Sequence, residues 1–243
     1  HAPAEVDAVD FILETLEEET SGSVILIATG PQSNIARAIQ RAPHLMERLR
    51  EIRIMGGCTS PMPGFHVDDA LNRLSEQTFP RSGNITEWAE FNFQQAPEDA
   101  AVVLNSGIPI RLFPMNCTHQ MCFTAERESL VREVFAHDPE RMEQIVQLLS
   151  IPREIDFQKF GIAPTLHDAH TTLELVAPEL YSGRHGTVSI HTDPQAENYG
   201  QTELTVDDAG SHWVAETISD SDAAFQILLE SLKACLDRET APA

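Results

Sequence analysis

Basic residues are scarce: 16 Lys and Arg stand against 38 Asp and Glu among 243 residues, a formal charge of -22. Such a chain repels a phosphate backbone and an anionic bilayer alike, so nucleic acid and membrane surfaces are excluded as expected partners, while neutral small molecules and divalent cations remain. Cysteine is sparse too. Cys58, Cys117, Cys122 and Cys235 form no CxxC pair and no regular spacing, which argues against a zinc site or a disulfide framework and for a reducing, cytoplasmic compartment. Long apolar runs are also missing, since the longest aliphatic stretch, Val24 to Ala28, falls far short of the roughly 20 residues that span a bilayer. Hydrophobic residues at 42% and charged residues at 22% are ordinary for a globular protein, which excludes a disordered or fibrous chain.

What is present alternates between two periodicities. From Ala4 to Glu19, Val6, Val9, Ile12, Leu13 and Leu16 recur three and four apart and predict a helix with one buried face, stopped at Ser21-Gly22. Ser23 to Ala28 reads as a strand covered on both faces. Ser33 or Asn34 caps a helix that continues through Ile35 to Gln40, and a short helix from His44 to Arg50 precedes a second strand, Ile52 to Met55, ending at Gly56-Gly57. Cys58 to Ser82 has little periodicity and predicts a long loop. A helix from Pro97 to Asn105, a strand from Ile108 to Phe113, helices over Glu126 to Ala136, Pro139 to Ser150 and Thr165 to Val176, strands at Thr187 to His191, Glu203 to Val206 and Trp213 to Glu216, and a last helix from Ser221 to Leu236 complete the chain. This order predicts one α/β domain over residues 1–243, with an open, mainly parallel sheet flanked by helices and an inserted loop at about 58–83. Ligands bind such sheets at the carboxyl ends of strands, so Thr29-Gly30, Met55-Gly56-Gly57 and Met115-Asn116 are expected to share one crevice.

Three groups of residues could carry chemistry. Gly83 to Asn92 places Asn84, Glu90 and Asn92 among apolar residues without helical capping or strand alternation, and amides and a carboxylate so spaced suit vicinal hydroxyls of a sugar; the plain reading is a turn followed by a polar edge. Leu166-His167-Asp168-Ala169-His170, near the start of a predicted helix, puts an acid in the first turn and two histidines three apart on one face. Either His167 and His170 bind a transition metal, or Asp168 binds a hard cation while His167 titrates near neutrality as an acid; a capping Asp beside surface histidines is the plain reading. His66 with Asp68 and Asp69 forms a third group in the long loop. Gly30 to Asn34 lacks the residues of a phosphate-binding turn.

Taken in order, Ala28-Thr-Gly-Pro-Gln-Ser-Asn-Ile-Ala36, Ile54-Met-Gly-Gly57, Gly83-Asn-Ile-Thr-Glu-Trp-Ala-Glu-Phe-Asn92 and Leu166-His-Asp168 resemble the inosine/uridine-preferring nucleoside hydrolase family over nearly the whole chain. The resemblance implies a Rossmann-like fold, calcium as cofactor, and hydrolysis of the N-glycosidic bond of a small-molecule ribonucleoside in nucleoside catabolism or purine salvage. It implies the Thr29 carbonyl and the Asp168 carboxylate as calcium ligands, Asn84, Glu90 and Asn92 as ribose-hydroxyl contacts, Met55 beside the sugar, and His167 as proton donor to the leaving base. A homo-oligomer, dimer or tetramer, is implied as well. The chain departs from the family pattern in the length of the 58–82 segment, in Asn116 where an aspartate is usual, and in lacking a match to the aspartate-rich N-terminal strand that supplies the general base and most calcium carboxylates. The expectation is therefore a nucleoside hydrolase fold with its N-terminal unit missing, which hydrolyses nucleosides poorly in isolation. A non-catalytic remnant that binds a ribosyl ligand, or serves as an interaction domain, is the alternative. A third reading is a transition-metal hydrolase using His66, His167 and His170.

Overall fold

The computed structural model describes residues 6–59, 83–152, 156 and 163–239. Contacts divide the chain into two compact units: His1–Met62, Pro80–Met115 and Gly183–Glu216 form the first, and Pro63–Phe79, Asn116–Ser182 and Thr217–Ala243 the second.

The first unit is built on a sheet. Strands β1 (Ile25–Ala28), β2 (Glu51–Met55), β3 (Ile110–Phe113), β4 (Tyr181–Ile190), β5 (Thr202–Val206) and β6 (His212–Ile218) lie in the order β1-β2-β3-β6-β4-β5. The pairs β1·β2, β2·β3 and β3·β6 are parallel and β4·β5 is an antiparallel hairpin, so the expected open, mainly parallel α/β sheet is observed, with an antiparallel edge. Helices α1 (Ala8–Glu18), α2 (Ser33–Arg41), α3 (Pro43–Met46), α4 (Phe91–Gln94) and α5 (Pro97–Leu104) accompany it. Asp7 caps α1 by accepting from the Val9 N–H at 2.9 Å, whereas α2 starts at Ser33 with Gln32 in the cap position and no side-chain cap, in place of the Ser33 or Asn34 cap expected.

Alternation along the strands sorts the two sheet faces. Leu26, Ile52, Ile54, Ile110, Leu112 and Val214 join Val9, Leu13, Ile35, Ala38 and Val103 from the helices in one apolar core. Between them, Arg53, Arg111 and Trp213 pair in register across β2, β3 and β6. Arg53 is 1% exposed and donates to Glu51 Oε1 at 2.6 Å, with its guanidinium 5.2 Å from the Phe113 ring centroid, while that of Arg111 stacks 3.9 Å from Trp213. Ion pairing and aromatic faces thus accommodate two neighbouring cations that would otherwise be costly to bury.

His212 ties the sheet to α5. Its Nδ1 accepts from the Val188 N–H at 2.9 Å, so the ring proton sits on Nε2, which donates to the Leu104 carbonyl at 3.0 Å. Burial pushes this imidazole below its ordinary pKa, partly offset by the Leu104 carbonyl. Because the folded pKa is the lower one, the contribution is present above about pH 6.5 and is lost as pH falls through the folded value, at up to about 1.4 kcal/mol per pH unit for this group. His212→Ala is expected to cost roughly 2–4 kcal/mol by stranding a buried N–H and a buried C=O, and to flatten part of the acid dependence. Urea unfolding at pH 7 and pH 5 measures both; an unchanged midpoint contradicts the assignment.

The second unit contains α6 (Met115–Thr118) from Asn116 onward, α7 (Ala125–Val134), α8 (Pro139–Leu149), α9 (His170–Val176), a 3-10 turn (Pro178–Leu180) and α10 (Ser221–Glu239). Thr124 and Asp138 cap α7 and α8 through the N–H groups of Arg127 and Arg141. Arg127, 6% exposed, donates to the Cys122 carbonyl at 2.6 Å and to Asp222 Oδ1 at 2.6 Å, binding the start of α7 to the start of α10. Among the described residues no helix is long and apolar enough to cross a membrane.

Candidate functional site

In the first unit, the registers Ala28↔Ile54 and Met55↔Phe113 put the carboxyl ends of β1, β2 and β3 on one edge of the sheet, which is where Thr29-Gly30, Gly56-Gly57 and Met115 emerge. Gly56 and Gly57 turn there with φ of +152° and +73°. A Cβ on Gly56 would stand 2.8 Å from the Phe93 ring and 2.9 Å from Glu90 Oε2, so the turn needs glycine both for its backbone and for the close approach of Glu90.

Glu90 and Asn92 are drawn to this turn. Glu90 Oε2 accepts from the Gly57 N–H at 2.8 Å and from Phe93 at 3.3 Å, and Oε1 accepts from Asn92 at 3.0 Å. The segment expected to lack helical capping is therefore capped, by an unusual residue: Glu90 is the cap of α4, and its reach to Gly57 is possible because a glutamate is longer than the usual capping side chains. Asn92 Nδ2 donates to the Met55 carbonyl at 3.0 Å, and Asn84 Oδ1 accepts from the Phe91 N–H at 2.9 Å. Asn84, Glu90, Asn92 and Met55 are thus brought together; Glu90, Asn92 and Met55 are buried. Thr29 is exposed at the end of β1.

Thr202, which the sequence did not single out, locks the turn from β5. Its hydroxyl accepts from the Cys58 N–H at 2.9 Å and donates to the Cys58 carbonyl at 3.1 Å. Thr202→Val keeps the volume and removes both bonds, so we expect a loss of about 1–3 kcal/mol in urea unfolding, while Thr202→Ser stays near wild type. Equal stability of Thr202→Val and wild type would overturn this role. Gln32 also escaped notice: fully buried, it donates from Nε2 to the Gly30 carbonyl at 3.1 Å, and its Oε1 has no hydrogen-bond partner among the described residues.

In the second unit, residues 163–166 run beside 121–123. Cys122 and Thr165 form an antiparallel bridge, flanked by Phe123 N–H to Pro164 O at 2.6 Å and Leu166 N–H to Met121 O at 3.1 Å. This pairing holds the chain extended, and α9 begins only at His170 instead of Thr165, so Asp168 lies in a turn before the helix and not in its first turn. Thr118 Oγ1 stands 2.7 Å from His167 Nδ1, the His119 and His167 rings are 5.2 Å apart, and His170 Nδ1 is 2.9 Å from the Tyr181 hydroxyl. His170 is buried and His167 half-buried, so the expected surface histidines are not observed, and the neighbouring His119 is buried as well.

Burial lowers the pKa of His167 to about 4, where near-neutral titration was expected, because the imidazolium would lose its hydration. Burial likewise takes His170 to about 3, with the neighbouring His167 adding to the shift, and lowers His119 well below the usual range, with His167 and His170 reinforcing it. Asp168 is shifted the other way: loss of water raises its carboxyl above the ordinary value.

Calcium takes six to eight oxygen ligands, and among the described residues no group of three His, Cys, Asp or Glu side chains could hold a metal ion. The described residues alone do not complete a calcium cage. A transition metal fares no better, since among the described residues His167 and His170 belong to no group of three His, Cys, Asp or Glu side chains that could hold a metal ion. His66, Asp68 and Asp69 lie outside the described residues. Thr118, His119 and Tyr181 were missed by sequence reasoning; the available signal was that Thr118-His119 directly follows the turn after β3.

The chain resembles known proteins over most of its length. The model of the inosine-uridine preferring nucleoside hydrolase family matches residues 1–229. An uncharacterised protein of Schizosaccharomyces pombe is 31% identical over 238 residues, covering 93% of this chain and 66% of the relative. The pyrimidine-specific ribonucleoside hydrolase RihA of Escherichia coli K12 is 28% identical over 201 residues, covering 79% and 54%. Among solved structures, a purine-preferring ribonucleoside hydrolase from Gardnerella vaginalis superposes with a TM-score of 0.73 at 20% identity, covering 94% of this chain and 66% of that one. An inosine-uridine preferring nucleoside hydrolase from Bacillus anthracis gives 0.64 at 23%, covering 93% and 65%. The likeness to these structures concerns the fold. The chain spans between about half and two thirds of the length of these relatives.

Proposed function

The chain belongs to the inosine-uridine preferring nucleoside hydrolase family, and we propose that the protein hydrolyses the N-glycosidic bond of purine or pyrimidine ribonucleosides, giving ribose and free base. The observation that carries this reading is the Glu90–Asn92 arrangement at the end of β2, where a buried carboxylate and a buried amide are fixed by the Gly57 N–H and the Met55 carbonyl. Fixed donors and acceptors of this kind suit the hydroxyls of a ribose, and contacts that strengthen as C1′ gains oxocarbenium character accelerate the reaction. Asn84, Glu90 and Asn92 hold the hydroxyls, with Met55 against the sugar. His167 offers an N–H to the departing base, on which negative charge develops. The Asp168 carboxylate and the Thr29 carbonyl would each present a hard oxygen to calcium, further ligands being required. Catalysis in the cytoplasm by a dimer or tetramer, in nucleoside catabolism or purine salvage, completes the proposal; the named relatives include both pyrimidine-specific and purine-preferring enzymes.

The test of the sugar contacts is calorimetric titration of ribose into the chain. Binding that weakens at least about 10-fold in Asn92→Ala, the worth of one or two hydrogen bonds, supports the reading, and undiminished binding contradicts it.

A further inference from the structure

The geometry points to Thr118 as a positioning residue that fixes His167 as its Nε2–H tautomer, so that the ring meets a departing nucleobase with an N–H and not with a lone pair. The inference rests on the reading of His167 as donor to the leaving group. Thr118 Oγ1 lies 2.7 Å from His167 Nδ1, and Thr118 is 0% exposed. Two placements of the protons fit that contact. If Nδ1 carried the proton and donated to the hydroxyl oxygen, the hydroxyl hydrogen would need another acceptor in a dry interior. A threonine near the end of a helix commonly returns it to the carbonyl four residues earlier, here Pro114, yet among the described residues the hydroxyl makes no bond except that to His167. A buried donor without an acceptor bears the full desolvation cost. The other placement has no such defect: Thr118 O–H donates to Nδ1, and the remaining ring proton stands on Nε2.

Both partners are anchored by backbone bonds, which makes the contact a built one. The Thr118 carbonyl accepts from the Met121 N–H at 3.2 Å, and the Met121 carbonyl accepts from the Leu166 N–H at 3.1 Å, immediately before His167. One short path of main-chain bonds therefore sets the distance from the hydroxyl to the ring. In the reaction, the electron pair of the C1′–N bond leaves with the base, and water supplies oxygen to C1′ and a proton to the base. An Nε2–H aimed at the base nitrogen stabilises the charge developing there. The opposite tautomer would present a lone pair and repel it.

The experiment is 15N imidazole NMR of the full 243-residue chain, with the His167 signals assigned by their loss in His167→Gln. The expected spectrum has a pyrrole-type Nε2 and a hydrogen-bonded, pyridine-type Nδ1. Thr118→Ser keeps both, and Thr118→Val moves Nδ1 toward its unbonded position. A pyrrole-type Nδ1 in the wild type overturns the proposal, as does a Thr118→Val spectrum identical to wild type. Should Thr118→Val fail to fold, the wild-type and Thr118→Ser spectra still decide. In the protein, Thr118→Val should lower kcat for inosine and uridine about 10-fold at unchanged KM, with Thr118→Ser restoring it; an unchanged kcat in Thr118→Val removes the positioning role. If the spectra are as expected but His167→Gln turns inosine over as fast as wild type, the leaving-group reading fails while the tautomer assignment stands.

Discussion

Glu90→Ala is expected to lower kcat/KM for ribonucleosides by about 10³-fold or more, because it combines two losses that smaller changes would separate. The first is the sugar contact itself. The second is the turn: with the carboxylate gone, the N–H groups of Gly57, Asn92 and Phe93 lose their shared acceptor in a buried place, and the Gly56-Gly57 backbone and α4 lose the link between them. Bonds to a charged acceptor contribute roughly 1.5–3 kcal/mol each, so stability falls together with activity. Glu90→Gln keeps the shape but turns an amide NH2 toward one of these N–H groups, and it should lie between Glu90→Ala and wild type in both respects. Steady-state kinetics with urea unfolding on the same preparations checks this. A Glu90→Ala protein of wild-type kcat/KM and wild-type urea midpoint would show that the carboxylate serves neither sugar nor turn.

The second large effect belongs to His167→Gln and depends on the substrate. A donor aimed at a leaving group matters most when the leaving group is poor, so turnover of inosine and uridine should fall about 10²–10³-fold, whereas p-nitrophenyl riboside, whose phenolate departs unaided, should lose less than about 10-fold. A histidine that served only packing would slow all three substrates alike, since it would act through the fold. Equal losses on inosine and p-nitrophenyl riboside, measured at saturation, would take His167 out of the leaving-group role.

How much of this could be read in the chain differs by element, for physical reasons. Strands β1, β2 and β3 were legible because buried parallel strands are continuous aliphatic runs, and the Gly56-Gly57 stop marked where the second one turns. The N-terminal half of β4 was not, since Tyr181 to Gly186 includes two glycines, an arginine and a histidine and shows no apolar alternation. Asn84, Glu90 and Asn92 were found as a polar group suited to hydroxyls, but the tie from the Glu90 carboxylate to the Gly57 N–H spans 33 residues, and no local pattern announces it. The spacing over 165–176 is helical and so predicts helix at His167 and Asp168; the pairing of Thr165 with Cys122 overrides it and makes a turn there. Burial of the histidines was hidden for the same reason. Thr118 and Tyr181, which stand against His167 and His170, are separated from them by 49 and 11 residues.

The central proposal is that the protein hydrolyses ribonucleosides, and the most direct measurement is its product balance with uridine and with inosine. Free base and ribose should appear in equal amounts from at least one of them, with no requirement for inorganic phosphate, and release should fall by about 10³-fold in Glu90→Ala. No ribose from either nucleoside in the presence of calcium, or ribose 1-phosphate formed only when phosphate is added, would contradict it.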